Sequence, residues 1–168
     1  VEETRDHYVD WLRDAHAMEQ QALSMLEGMS GRINNYPAVK TRIDQHIGET
    51  RGQIDDIAAI LDRLGESPSM LKDTAGSITA TIQSLAGMFA SDEIVKGLLA
   101  SYTFEQMEIG SYRILLAAAD AAGDSVAVPV FKLILEQEMA MADWLASNTD
   151  AIVHAYLTRT ELDLTAKR

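Results

Sequence analysis

Apolar residues recur along this chain at steps of three and four, the period of an α-helix and not of a strand. Between Thr4 and Ser30 the positions Val9, Leu12, His16, Glu19, Leu23 and Leu26 share one face, and the break GRINNYP follows. A second stripe runs through Val39, Ile43, Ile47, Ile54, Ile57, Leu61 and Leu64. Pro37 suits its first turn, Asn35 is placed to cap it, and Gly65 closes it. The stretch from Met70 to Ala90 is richer in Gly, Ser and Thr and reads as a weaker helix opening at Ser67-Pro68. Ser91 caps the next helix, with Asp92 and Glu93 at the positive end of its dipole. Its stripe is Ile94, Leu98, Tyr102, Glu105, Ile109, Tyr112 and Leu116, and Gly123 ends it. The last helix starts near Asp124 or Ser125, which places Pro129 in a tolerable first turn. Val130, Ile134, Glu138, Met141, Leu145 and Ile152 form its face. Predicted helices thus cover 4–30, 37–64, 68–90, 92–122 and 125–156, and the charged tail 158–168 frays.

Four of these helices are roughly 25–30 residues, or about 40 Å at 1.5 Å per residue. Short turns join the first pair and the last pair, so each pair is antiparallel, while the long middle link carries the chain across the bundle. The pattern predicts one all-α domain over 1–168, a four-helix bundle with one long crossover carrying an extra short helix. An internal echo supports a duplicated hairpin. Leu12, Glu19, Leu23 and Leu26 repeat the spacing of Leu98, Glu105, Ile109 and Tyr112, which makes Glu19 and Glu105 equivalent.

Composition narrows the chemistry. With 168 residues and 47% hydrophobic content the chain can bury a core and is neither disordered nor bilayer-spanning. The opening VEETRDHYVD lacks the apolar stretch of a secretory signal, which sets the expectation of a cytoplasmic protein. Cysteine is absent, so disulfides, thiolate zinc sites and iron–sulfur clusters are excluded. A net charge of −12 argues against a nucleic-acid partner. Amphipathic helices bearing Tyr and Trp favour a homodimer, the default symmetric assembly.

Glutamates then stand out. Glu19, Glu105 and Glu138 lie at the centres of apolar stripes, where an ionised carboxylate is costly unless something positive meets it. Glu108 is one turn from Glu105; Glu49 lies roughly a quarter turn off the centre of its stripe, with His46 and Gln53 on the same side. Glu136 falls on the solvated face. One inward acid per helix is the pattern of a dimetal carboxylate bundle, and oxygen with imidazole suits iron and related metals. The candidate ligands are Glu19, Glu49, Glu105, Glu108, Glu138 and His46, with Gln53, Tyr112 and His16 as their hydrogen-bond partners. Each has a bland counterpart: His16 at the periphery, Tyr112 as packing, the methionines 18, 25, 29, 139 and 141 as core filling, and Trp11 and Trp144 as packing or interface. His7 and His154 read as surface residues. No phosphate loop, nucleophile elbow or catalytic triad is present, and no catalytic residue is assigned.

The segments DAHAMEQQAL, HIGETRGQI, FEQMEIGSYRIL and LEQEMAMADWL resemble those of the YciE/YciF-type ferritin-like proteins, a bacterial family, over nearly the whole chain. That resemblance implies a ferritin-like bundle, a stress-related role, and two iron or manganese ions at a site with peroxide, dioxygen or metal redox chemistry. By carry-over the matching acids are Glu19, Glu49, Glu105, Glu108 and Glu138, with His46 and Gln53 beside them; in a dimetal redox protein Glu49 and Glu138 would bridge the two ions. The chain departs from the ferritin-like Glu-x-x-His pair, since Gly52 stands three residues after Glu49 and Met141 three after Glu138. Arg51 and Gly48 stand where relatives carry acids or histidine. An alternative follows: a non-catalytic helical scaffold with a degenerate, metal-free site, its acids partly protonated or paired with Arg51 and other bases.

Overall fold

The computed structural model describes residues 2–68, 92–162 and 164–166. Within them are α1 (Glu2–Ser30), α2 (Pro37–Arg63), α3 (Glu93–Ala122) and α4 (Val128–Glu161). The short helix expected over 68–90 and the Ser91 cap lie outside the described residues, save for Pro68, which is not helical.

Both glycine stops form as expected. Gly65 (φ 77°) and Gly123 (φ 73°) take the left-handed conformation, and the next N–H reaches back to Leu61 and Ala119 respectively. Three termini differ from expectation. Tyr36, not Asn35, immediately precedes α2, and it makes no side-chain cap bond. Pro37 at the first position already removes one donor that a cap would serve. The last helix begins at Val128 because Asp124 first spends its carboxylate on a preceding turn, accepting the Ala127 N–H at 3.3 Å. The tail does not fray from 158. α4 continues to Glu161, Arg159 Nε donates to Thr165 O (2.5 Å), and the buried Tyr36 hydroxyl donates to Ala166 O (2.5 Å).

Side-chain bonds fix the arrangement of the rods. At one end Tyr8 of α1 and Arg63 of α2 both meet Asp124, between α3 and α4. At the other end Arg32, just past α1, meets Glu93 at the start of α3 (2.6 Å). Every neighbouring pair is therefore antiparallel, and the chain between α2 and α3 passes from one end of the bundle to the other. α1 packs on α2 and α3, and α4 packs extensively on α3 and only slightly on α2. No described helix is long and apolar enough to cross a membrane.

Two apolar clusters fill the interior. The Asp124 end holds Tyr8, Leu12, Ile57, Leu61, Tyr112, Phe131 and Ile134. The opposite end holds Leu26, Ile43, Ile47, Ile94, Met141 and Leu145. The stripe of α3 needs one correction: Tyr102 is exposed, and the small residues Gly97, Ala100 and Ser101 face inward instead. Space explains it, because Met29 of α1 lies against Gly97, where an added Cβ would sit 2.9 Å from its Cε. Of the methionines taken as filling, Met18 and Met141 are buried and Met139 is exposed, and Trp11 is exposed.

Asp124 ties three helices at one point. Tyr8 Oη donates to it at 2.9 Å, and Arg63 Nη2 donates to both of its oxygens at 2.8 and 2.6 Å. Burial alone would raise its pKa, but Arg63 and Tyr8 outweigh that and hold it below the usual carboxylate range. A depressed folded pKa contributes stability that is present above the unfolded value of about 3.9 and lost as pH falls through the folded one. Asp124→Ala is expected to lower unfolding free energy by about 2 kcal/mol at pH 7. In denaturant titrations that difference shrinks below about pH 4; an equal loss at pH 3 and pH 7 would contradict the assignment.

Candidate metal centre

Between the two apolar clusters lies a belt of polar side chains, one helix-centre contribution at a time. Glu19 comes from α1, His46 and Gln53 from α2, Glu105 and Glu108 from α3, and Glu138 from α4, and all six are buried. The i, i+3 spacing of Glu105 and Glu108 puts both on one face of α3. Thr50 is fully buried too, and its hydroxyl donates to the His46 carbonyl at 2.9 Å, which satisfies it within α2.

His46, Glu105, Glu108 and Glu138 each offer one ligand atom, and those atoms all lie within 4.8 Å of one another, a group that could hold a metal ion. His46 Nε2 is 3.0 Å from Glu105 Oε1 and 3.4 Å from Glu138 Oε2. Despite these distances it has no aligned hydrogen bond to either. On the ring's other side Nδ1 lies 3.2 Å from Glu49 Oε1. Glu19 adjoins the group: it faces Glu108 and Glu138, and Tyr112 Oη donates to its Oε1 at 2.5 Å.

The electrostatics follow from the crowding. Burial first, then the Glu138 charge, pushes the Glu19 pKa up. Burial first, then Glu138, Glu105 and Glu19, does the same to Glu108. Glu138 is raised by burial, with His46 opposing. For His46, burial works against the charged form, but Glu105, Glu138 and Glu49 outweigh it and its pKa is raised. Carboxylates held this close and dry need protons or cations.

The sequence-derived candidates separate here. His46, Glu105, Glu108 and Glu138 converge, with Glu19 and Tyr112 against them. Glu49 does not join: its side chain is 20% exposed, and it bonds His46 and Arg42. Gln53 donates to Gln137 of α4 at 3.0 Å, across the α2–α4 seam. His16 is buried but stands outside the group, and its Nδ1 has no partner. Arg51 cannot neutralise the acids, because it lies on the surface paired with Glu27 (2.6 Å). Sequence reasoning missed Arg42, which reaches Glu49 at 3.3 Å, and Gln137. Arg42 was findable, since it lies four residues before His46 and seven before Glu49, on one helical face.

The site thus sits in an all-α four-helix bundle, with acids facing inward from its rods. This chain belongs to the family described as a domain of unknown function, DUF892, which matches residues 3–158. Solved structures agree. A Xanthomonas campestris pv. campestris protein, XCC3681, is 37% identical, with 94% of this chain and 99% of that chain covered and a TM-score of 0.80. YcfI from Rhodopseudomonas palustris, described as a putative structural protein, is 24% identical over 85% of this chain and 92% of its own, with a TM-score of 0.76. The E. coli stress protein YciF is 21% identical over 87% and 94%, with a TM-score of 0.78. The YciE/YciF-type resemblance is thereby borne out.

Tyr112 supplies the hydroxyl donor on Glu19 Oε1, while Glu19 Oε2 has no partner. Tyr112→Phe removes that donor and is expected to destabilise the metal-free protein by about 1–3 kcal/mol. Glu138→Gln removes one crowded charge and is expected to be neutral or stabilising under the same metal-free conditions. Thermal unfolding of both variants checks the pair; a large loss from Glu138→Gln would contradict the crowding.

Proposed function

We propose that the belt is a dimetal-carboxylate centre held by His46, Glu105, Glu108 and Glu138, with Glu19 completing it from α1. The observation that carries this reading is the set of buried polar atoms that make no hydrogen bond. Both oxygens of Glu108 and Glu138, one each of Glu19 and Glu105, and His46 Nε2 are all in that state. Native proteins seldom leave such atoms unpaired, and a single six-coordinate cation has no use for seven donors. Charge points the same way, because the four carboxylates Glu19, Glu105, Glu108 and Glu138 balance two divalent cations. Oxygen donors with one imidazole suit iron or manganese.

Bound there, iron or manganese would supply redox equivalents for peroxide or dioxygen, the chemistry we assign to a stress-related protein of this family. The chain's own part is to fix ligand positions on four rigid rods and to keep water out with the apolar clusters on either side. Glu19 is held in place by Tyr112, and His46 by the partners of its outer nitrogen. The metal-free scaffold reading loses Arg51, which lies on the surface, and keeps the protonated acids and His46 as its means of relieving the charge. We also propose a homodimer: Trp11 and Ile114 are exposed, and they border a cavity of about 530 Å³ between α1 and α3.

Metal-free protein titrated with Mn²⁺ or anaerobic Fe²⁺ is expected to bind two ions per chain and to melt higher. The gain is about 2.7 kcal/mol per site at a hundredfold excess over Kd. Glu105→Ala with Glu138→Ala should abolish binding and the shift together. Absence of binding in the wild type, or binding unchanged in the double variant, would refute the reading. Light scattering should give a mass twice that of the 18.4 kDa chain, and a mass equal to one chain would remove the dimer.

A further inference from the structure

Glu49 sits one turn beyond His46 on α2, on the far side of the imidazole from Glu105 and Glu138. The two ring nitrogens point in diverging directions. Nδ1 has its partner in Glu49 at 3.2 Å, whereas Nε2 faces the carboxylates of Glu105 and Glu138 at 3.0 and 3.4 Å without an aligned hydrogen bond to either. A carboxylate held against Nδ1 cannot also reach a cation on Nε2. Behind Glu49, Arg42 Nη1 lies 3.3 Å from the same Oε1, and the Arg42 side chain is only 10% exposed. Arg42 in turn lines a recess of about 470 Å³ between α2 and α4, with Thr41, Gln45, Trp144 and Asn148. Arg42, Glu49 and His46 therefore form a chain of contacts from that recess to the edge of the buried group.

We propose that Glu49 is a positioning residue and not a metal ligand: backed by Arg42, it holds the Nδ1–H of His46 so that Nε2 faces the cation. This rests on the metal-centre reading for what occupies the Nε2 side. The ring orientation itself needs no metal. Fixing an imidazole through its outer N–H selects which nitrogen can ligate and removes the rotation that would break the site. Arg42 keeps the acceptor charged and stops the Glu49 side chain from swinging out to solvent. The i, i+3 step from His46 to Glu49 makes this possible within one helix, in place of the absent Glu-x-x-His pair.

Histidine ¹⁵N NMR with zinc as a diamagnetic probe tests the proposal. In the wild type, Nδ1 is expected to keep its proton with and without zinc, while Nε2 takes the shift of a ligated nitrogen. Glu49→Gln retains an acceptor and should leave zinc affinity within a factor of a few; Glu49→Ala should weaken it about 10–100-fold. A ligated Nδ1, or Glu49→Gln as damaging as Glu49→Ala, makes Glu49 a ligand and overturns the proposal. If zinc does not bind at all, the metal-centre reading fails, and the metal-free protein still decides the point. There the slowly exchanging Nδ1–H signal should persist in Glu49→Gln and vanish in Glu49→Ala; its survival in Glu49→Ala refutes the positioning role.

Discussion

Four carboxyl groups and an imidazole enclosed between two apolar clusters set the terms for the whole molecule. Each carboxylate would be far more stable in water, and each raises the cost of ionising the next. The acids stay inside because their backbone positions leave no alternative: Glu19, Glu105 and Glu138 occupy inward-facing sites in helices whose flanking turns are firmly buried. The apolar clusters at both ends hold the rods together, and the belt between them is held in place at its own expense. Such a belt makes physical sense when something of opposite charge settles in it.

The surroundings share one organisation. Two side chains of the belt have a helper beside them, Tyr112 for Glu19 and Glu49 for His46, and Arg42 backs Glu49 in turn. The lightly packed seam between α2 and α4 carries the Gln53–Gln137 bond and the recess beside Arg42. The Tyr8–Asp124–Arg63 knot locks the end of the bundle where three helices meet. That knot and the apolar clusters fix the positions of the buried acids.

Much of this was legible in the residues, for definite reasons. Long helices declare themselves by period, and Gly65 and Gly123 end them because only a residue without Cβ takes that φ easily. A glutamate at the centre of an apolar stripe is visible because nothing else explains it there, and Glu19, Glu105 and Glu138 were found on that ground. The failures are equally physical. Stripe angles drift over a helix as long as α3, so Tyr102 was placed inside when Gly97 and Ser101 take that space. Glu49, off-centre by angle, stands on the Nδ1 side of His46 and not with Glu105 and Glu138, and which side of an imidazole a carboxylate occupies depends on rotamers that no spacing encodes. Arg51 drew notice for its place in a motif, whereas Arg42 holds the buried partner, because direction around the helix decides which charge can reach inward. Asp124 read as a helix start, and only tertiary contact reveals it as the meeting point of Tyr8 and Arg63.

Anomalous diffraction at the iron and manganese edges, from crystals of protein loaded with each metal, tests the central claim most directly. The account predicts two peaks enclosed by His46, Glu105, Glu108, Glu138 and Glu19, with Glu49 outside the coordination of both. Loaded crystals that show no peak within that ring, or whose metal lies only at surface carboxylates, would contradict it.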